Sequence, residues 1–249
     1  PDGSISRTKI ALAPIFIAGR TVDVLTGEAK RLLVWRGASG WRSRVVERRT
    51  IVDTSKIITL SNWDAPVSTN TTLHMVSFLS EFDAENAHRF PVVQSASSMG
   101  WQPDGGFLLP DMYYSSDSTT NSDFALTPPP GLETLSGGWK PKGTWDEWCR
   151  SMRLVEDFPY MFVAIYASAA APLLEVLHTP GFVLDFSGET SGGKTTALRY
   201  AASVWGRPAE SYPTAMYSWD ATKVWIERTS GFLKNLPLIL DETKRARHT

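Results

Sequence analysis

Residues 188–195 constrain the fold of this chain more than any other segment. They read Gly-Glu-Thr-Ser-Gly-Gly-Lys-Thr, which is the P-loop pattern of a glycine, four residues and then Gly-Lys-Thr. The mostly apolar run Phe182–Phe186 before the loop predicts a strand, and Thr196–Trp205 after it predicts a helix with an apolar face. Because strand, glycine-rich loop and helix form the context that the pattern requires, the sequence predicts an α/β nucleotide-binding domain.

The residue types of this loop fit phosphate binding. Its glycines let the backbone turn tightly and bring N–H groups to the phosphates, and the helix that follows adds a partial positive charge. Lys194 is expected to reach the β- and γ-phosphates, and the Thr195 hydroxyl to bind Mg²⁺. The predicted nucleotide-binding residues are Gly188, Glu189, Thr190, Ser191, Gly192, Gly193, Lys194, Thr195 and Thr196.

A second motif supports the first. Residues 236–240 form an apolar run that ends in Asp241 and Glu242, 47 residues after Lys194. In P-loop ATPases a parallel strand beside the P-loop strand ends in such an aspartate, which holds the Mg²⁺ shell. We therefore predict Asp241 as a metal-associated residue together with Thr195, and Glu242 as the residue that polarises the attacking water. Lys194, Asp241 and Glu242 form the predicted catalytic set.

Two other classes of P-loop protein fit less well. A small GTPase usually carries an Asn-Lys-x-Asp motif for guanine, and this sequence has none. A nucleotide kinase would rarely carry the Asp-Glu pair and would need an arginine-rich lid, which we do not find. Arg245 and Arg247 follow the acidic pair too closely for a typical arginine finger, and solvated charges are the favoured interpretation. The predicted cofactors are therefore ATP and Mg²⁺.

Several segments together resemble the helicase-like family known as domain of unknown function 927. They are Gly100-Trp101, Ala171–Leu174, Phe186–Thr196, Ala202–Gly206, Trp219–Thr222 with Glu227, and Leu236–Lys244. The resemblance covers most of residues 90–249 and, more loosely, the part before them. Members of this family occur in phages, plasmids and mobile genomic islands, and some are related to AAA+ helicases of the minichromosome-maintenance type.

The resemblance implies an enzyme, the ATP-hydrolysing motor of a DNA helicase-like replication protein. It also implies DNA as a partner and a homo-oligomeric ring for the full-length protein. Lys194, Thr195, Asp241 and Glu242 are intact, so the chain does not look like an inactivated member. A nucleotide-gated assembly or loading module without strand separation remains an alternative that the sequence does not exclude. A structural domain with a relic P-loop is the third reading.

Composition and chain order predict two domains. The chain has 249 residues and 42% apolar side chains, which is enough to bury a sizeable core. Residues 8–50 read as short strands and 69–88 as a helix, whereas 115–138 is rich in Ser, Thr, Pro and Gly. We predict an α+β N-terminal domain over 1–114, a linker over 115–142 and the first half of an AAA+-like α/β P-loop NTPase domain over 143–249. Because the chain starts with proline and stops soon after the acidic pair, we expect a fragment of a longer protein that hydrolyses ATP poorly alone.

Charge is unevenly distributed along the chain. Residues 1–60 carry a net charge of +6 and residues 61–138 one of −8. The basic block interleaves arginines with tryptophans on predicted strands, which could bind nucleic acid through phosphate contacts and base stacking. An ordinary sheet with charged outward positions is the favoured alternative. The candidate nucleic-acid residues are Arg36, Arg42, Arg44, Arg48, Trp35 and Trp41.

The remaining features concern location. Cys149 is the single cysteine and no signal-like stretch follows the first residue, so we expect a cytoplasmic protein. The stretch 158–174 has 17 residues without charge, near the lower limit for a membrane span. Its alanine and serine content favours a buried core helix, and we predict no membrane association. Trp145–Val155 predicts another helix, capped by Thr144 and Glu147.

Overall fold

The chain divides into two compact units, Pro1–Ser95 and Ala96–Thr249, called unit 1 and unit 2 below. The computed structural model describes residues 9–117, 120–121, 124–189, 192–209 and 211–242. This division places the boundary near residue 95, whereas the sequence predicted it at 114. Much of the predicted linker 115–142 belongs to the core of unit 2, because Leu132, Leu135 and Trp139 are buried there. The sequence did not indicate that these three residues are buried, because apolar residues are sparse and not periodic in the segment 115–142.

Unit 1 is a mixed sheet with helices. In chain order it contains β1 (Ile15–Asp23), β2 (Ala29–Gly37), β3 (Gly40–Glu47), α1 (Arg48–Val52), α2 (Thr54–Ile57), a 3-10 helix (Ile58–Trp63), α3 (Thr72–Asn86) and β4 (Val92–Ala96). Strands β3, β2, β1 and β4 are neighbours in that order. The first three are antiparallel, and β4 runs parallel to β1. The predicted α+β character of this region is observed.

One face of the β1–β3 sheet forms the core of unit 1. Leu33 and Trp35 on β2 are at most 1% exposed and pack with residues of the helices, including Ile51 of α1 and Met75 of α3. The alternation along β2 explains this, because every second side chain points to the same face. Burying Trp35 alone removes a large apolar surface from water, and its indole N–H donates to the Asp64 carbonyl at 3.1 Å.

A buried ion pair joins the sheet to α3. Arg31 of β2 and Arg48 of α1 both donate to the Asp83 carboxylate, whose side chain is 2% exposed. Burial alone would raise the pKa of Asp83, but the hydrogen bonds from Arg31 and Arg48 outweigh it, so the pKa lies below its ordinary value. Two of the arginines in the basic block therefore belong to the structure of unit 1.

We expect Asp83→Asn to destabilise unit 1 by about 2–3 kcal/mol, because it leaves the buried Arg31 without its counter-charge. Asp64→Asn, at a pair 3.8 Å long and about half exposed, is the control and should change stability by less than about 1 kcal/mol. The Asp83 contribution should be present above its unfolded pKa and be lost as pH falls through the lower, folded pKa. Urea unfolding between pH 3 and 7 measures both effects. Equal losses in the two variants would refute the role of the buried pair.

The described part of unit 2 contains a short antiparallel meander, a 3-10 helix, four α-helices and a parallel strand pair. In chain order its elements are β5 (Gly100–Trp101), β6 (Phe107–Leu109), β7 (Met112–Tyr114), β8 (Thr120–Asn121), β9 (Phe124–Leu126), a 3-10 helix (Leu135–Trp139), α4 (Trp145–Arg153), α5 (Pro159–Val176), α6 (Lys194–Ser203), β10 (Tyr217–Ser218), α7 (Lys223–Leu233) and β11 (Leu240–Asp241). β10 and β11 are parallel. The predicted capping box of α4, Thr144 with Glu147, is confirmed.

Helices α5 and α6 pack closely at the centre of unit 2. Small residues on α6, among them Ala197 and Ala201, are at most 5% exposed and let the helix axes approach. The Ser168 hydroxyl of α5 donates to the Ala201 carbonyl at 2.7 Å, and the Trp205 indole donates to the Ser168 carbonyl at 3.0 Å. These two hydrogen bonds tie the carboxyl end of α6 to α5.

The predicted strand Phe182–Phe186 is not a strand here. Residues 181–187 lie outside any helix or strand, and Val183 is 91% exposed. The physical reason is that a strand needs a hydrogen-bonded neighbour, and no described strand pairs with this segment. Only Phe186 packs against the core of unit 2. The predicted strand 236–240 is likewise shorter, because the ladder forms only at Leu240 and Asp241.

Helix α5 buries one side and exposes the other. Met161, Ile165 and Ser168 are buried, whereas Tyr166 and Leu173 are 66% and 52% exposed. The helix is long and apolar enough to cross a membrane by length and composition, which is weak evidence for a span. The expectation of a buried core helix therefore holds for only one of its faces.

Candidate nucleotide-binding site

The P-loop lysine lies at the first residue of α6. Gly193 precedes it with φ of 78°, and no described side chain caps this helix. The first turn of a helix leaves N–H groups without intrahelical acceptors, so these donors point into the loop. The Lys194 ammonium donates to the carbonyl of Gly188 at 3.0 Å and also to that of Glu189. The lysine side chain thus folds back over the loop, where the P-loop pattern predicts that the phosphates bind.

Helix α5 limits the space above the loop. A Cβ built on Gly193 would lie 2.7 Å from the Tyr160 hydroxyl oxygen. No sequence pattern indicates this contact, because Tyr160 lies in an apolar run 33 residues earlier and meets the loop only in the tertiary structure. Tyr160 is therefore a neighbour of the loop that sequence reasoning missed.

We expect Gly193→Ala to weaken ATP binding about tenfold, because alanine disfavours the positive φ and its methyl group would press on Tyr160. Gly181→Ala, where nothing lies within 4 Å of the added Cβ, is the matched control. Adding Tyr160→Phe to Gly193→Ala should restore part of the affinity. Fluorescence titration with an ATP analogue measures all three, and an unchanged affinity in Gly193→Ala would contradict this geometry.

Asp241 lies at the carboxyl end of β11, which is parallel to β10, whereas the sequence predicts a strand that lies beside a P-loop strand. It pairs with Ser218 of β10, and its carbonyl accepts the Trp219 N–H at 3.0 Å. Its side chain is partly exposed and accepts the Glu242 N–H at 2.8 Å. Glu242 is exposed and has φ of 62°. This left-handed conformation is unfavourable for glutamate and turns the chain sharply after the strand.

The structure puts α6 and β11 in one core. Ala197 of α6, Ile239 and the partly buried Leu240 belong to the same apolar cluster, so the lysine-bearing helix and the aspartate-bearing strand are parts of unit 2. Thr195 and Thr196 lie in the first turn of α6. Thr190 and Ser191 lie outside the described residues, as do Arg245 and Arg247.

These residues fit a nucleotide with Mg²⁺. Gly192 and Gly193 leave a cradle that a Cβ would fill, since it would meet the Glu189 carbonyl at 3.3 Å or the Tyr160 hydroxyl. Mg²⁺ in such sites takes one or two protein oxygens and otherwise water and phosphate oxygens. Thr195 and Asp241 carry oxygen donors of this kind, and the part of the chain that the structure describes holds no cluster of three or more His, Cys, Asp or Glu suited to a metal.

A separate cavity of about 380 Å³ opens beside the carboxyl end of β10. Tyr212, Tyr217 and Trp225 line it, together with Thr222, whose hydroxyl caps α7 by accepting the Trp225 N–H at 3.2 Å. Burial raises the pKa of Tyr217 to about 12, so its hydroxyl stays neutral and accepts the Trp139 indole N–H. None of the described P-loop residues lines this cavity.

The predicted nucleic-acid residues do not form one surface. Trp35 is 1% exposed, so its ring cannot stack on a base, and this prediction is wrong. Arg42 pairs with Asp64, Arg44 lies 3.8 Å above the Trp63 ring, and Arg48 contacts Asp83. These three arginines are tied to the helical side of the sheet. Arg36 and Trp41 are exposed on its other face.

Comparison with known proteins gives a family and a fold. The model of the family described as Domain of unknown function (DUF927) matches residues 2–249. No curated protein matches the chain. A solved structure titled "SCCmec type IV Cch - active helicase" superposes with a TM-score of 0.72 at 23% identity. The match covers 98% of this chain and 46% of that one, so this chain spans about half the length of the solved structure. Since the family model covers nearly every residue, this chain belongs to the DUF927 family.

Proposed function

We propose that this chain carries the ATP site of a helicase-like motor that acts on the DNA of a mobile element or phage. The observation that supports it best is the start of α6, where an uncapped helix N-terminus, glycines and Lys194 meet at one loop. Such a site suits a polyphosphate because it offers N–H donors, a partial positive charge and a full one. The similarity in fold to a solved chain titled as an active helicase agrees with this assignment.

The residues have separate tasks in this proposal. Lys194 exchanges the carbonyls of Gly188 and Glu189 for phosphate oxygens and neutralises charge that develops there. Thr195 and Asp241 hold Mg²⁺, which supplies further charge neutralisation when bound. Glu242 accepts a hydrogen bond from the attacking water and orients it. Because its backbone has φ of 62°, the Glu242 side chain points in a different direction from the one it would have if β11 continued as a regular strand.

The test is ATP hydrolysis by the full-length protein with and without single-stranded DNA. We expect DNA to stimulate turnover, and Glu242→Gln to lower it at least about 100-fold while ATP still binds. Glu227→Gln, an exposed carboxylate whose nearest ion-pair distance to Lys223 is 3.8 Å, is the control and should keep the wild-type rate. Turnover that ignores DNA would favour the assembly or loading module instead. Full activity in Glu242→Gln would refute the role of this residue.

A further inference from the structure

The sheet of unit 1 has a second face that its helices do not cover. Because opposite residues of paired strands share a face, Phe16, Val34 and Ser43 lie together, and Arg36 lies beside Trp41. On β2 the buried Arg31, Leu33 and Trp35 point to the helices, so the alternate residues point away from them. We call this second face the open face. Its residues on β2 and β3 are Lys30, Leu32, Val34, Arg36, Trp41, Ser43, Val45 and Glu47.

Two aromatic rings are exposed on the open face. Trp41 is 57% exposed and Phe16 is 37% exposed. Their ring centroids are 6.0 Å apart with the planes at 70°, so Phe16 supports the indole from one side. A large side chain held in place and still accessible to solvent is what base stacking requires, since the ring loses little freedom when a base binds.

The open face carries two cations, Lys30 and Arg36, and one carboxylate, Glu47. Neither Lys30 nor Arg36 forms an ion pair with any residue from 9 to 242 that the structure describes. They lie six residues apart on β2, which separates them by about 20 Å at the usual rise of a strand. Glu47 lies opposite Lys30 on β3, but its carboxylate accepts a hydrogen bond from Arg49. The face therefore combines two exposed rings with the exposed Arg36 at one end and the partly exposed Lys30, beside Glu47, at the other.

We propose that the open face binds single-stranded DNA, with bases stacked on Trp41 and Phe16 and phosphates on Arg36 and Lys30. The rings fit any base because every base has a π-face, and the cations complement the backbone. A duplex would not expose its bases to these rings. The choice of DNA rests on the proposed function, whereas the face itself does not. Of the six residues predicted from the sequence, the proposed site includes only Arg36 and Trp41, and it adds Phe16 and Lys30.

The experiment is fluorescence anisotropy of a labelled 20-nucleotide dT oligomer titrated with the 249-residue chain, without ATP. We expect Trp41→Ala to weaken binding about tenfold or more and Trp41→Phe to retain most of it. Arg36→Ala should lower the slope of log affinity against log salt by about 1. Trp63→Ala is the matched control, because its ring is 38% exposed but lies under Arg44 on the helical side. It should stay within twofold of wild type.

Three outcomes would overturn the proposal. They are no binding at low salt, an unchanged affinity in Trp41→Ala, and an equal loss in Trp63→Ala. An rU oligomer that binds ten times more tightly than dT would overturn the choice of DNA. Lys194→Ala separates this inference from the proposed function, since that variant should lose ATP binding and keep its affinity for the oligomer.

Discussion

Replacing Lys194 by alanine is expected to weaken Mg²⁺-ATP binding at least about 100-fold, a loss of about 3 kcal/mol. The substitution removes the positive charge at the first residue of α6, where the ammonium contacts the loop carbonyls of Gly188 and Glu189. Hydrogen bonds that involve a charged group are stronger than neutral ones. Fluorescence titration with an ATP analogue measures the change.

Lys223→Ala is a closely matched control. Lys223 is also the first residue of a helix, α7, but its side chain is 81% exposed and no glycine-rich loop precedes it. If any positive charge at a helix start favoured ATP binding, its loss would weaken binding equally in both variants. We expect wild-type affinity in Lys223→Ala, and an equal loss would mean that the α6 site is not the one that binds ATP.

Gly206→Ala is expected to destabilise unit 2 by about 4 kcal/mol. A Cβ on Gly206 would lie 2.2 Å from the Gly138 carbonyl oxygen and 2.8 Å from the Trp139 Cα. These atoms belong to the backbone and cannot rotate away, and the Gly138 carbonyl also accepts the Arg207 N–H at 2.8 Å. The clash therefore displaces Trp139, which is 1% exposed in the core of unit 2. Thermal melting should fall by roughly 10 °C.

Gly231→Ala provides the comparison for this effect. Gly231 lies in α7, and nothing lies within 4 Å of an added Cβ there. Alanine is favoured over glycine in a helix, so the variant should be as stable as wild type or more stable by up to about 1 kcal/mol. If Gly206→Ala has the same melting temperature as Gly231→Ala, the close approach of residues 138 and 206 does not exist in solution.

Local patterns predicted the elements that neighbouring residues stabilise. The short strands predicted within residues 8–50 are observed as β1, β2 and β3, and α4 follows from its capping box. Lys194 at a helix start and Asp241 at a strand end follow from the P-loop pattern and the acidic pair. The strand Phe182–Phe186 did not follow, because a strand also needs a partner.

The candidate nucleic-acid residues show why such a set is hard to predict. Arg42 and Arg44 look alike in sequence to Arg36, but strand alternation and register put them on the helical face. There Arg42 pairs with Asp64 and Arg44 stacks on Trp63, two residues that lie about 20 positions later in the chain. Trp35 and Trp41 were separated by the same alternation, one into the core and one onto the open face.

Hydrogen–deuterium exchange with and without a slowly hydrolysed Mg²⁺-ATP analogue tests the site most directly. The nucleotide should slow exchange in two separate stretches, residues 188–196 at the start of α6 and residues 240–242 at the end of β11. It should leave the α7 residues around the aromatic cavity unchanged, and Lys194→Ala should remove both effects. Protection confined to the cavity of Tyr212 and Trp225, or bound nucleotide without protection at residues 188–196, would contradict an ATP site at the P-loop.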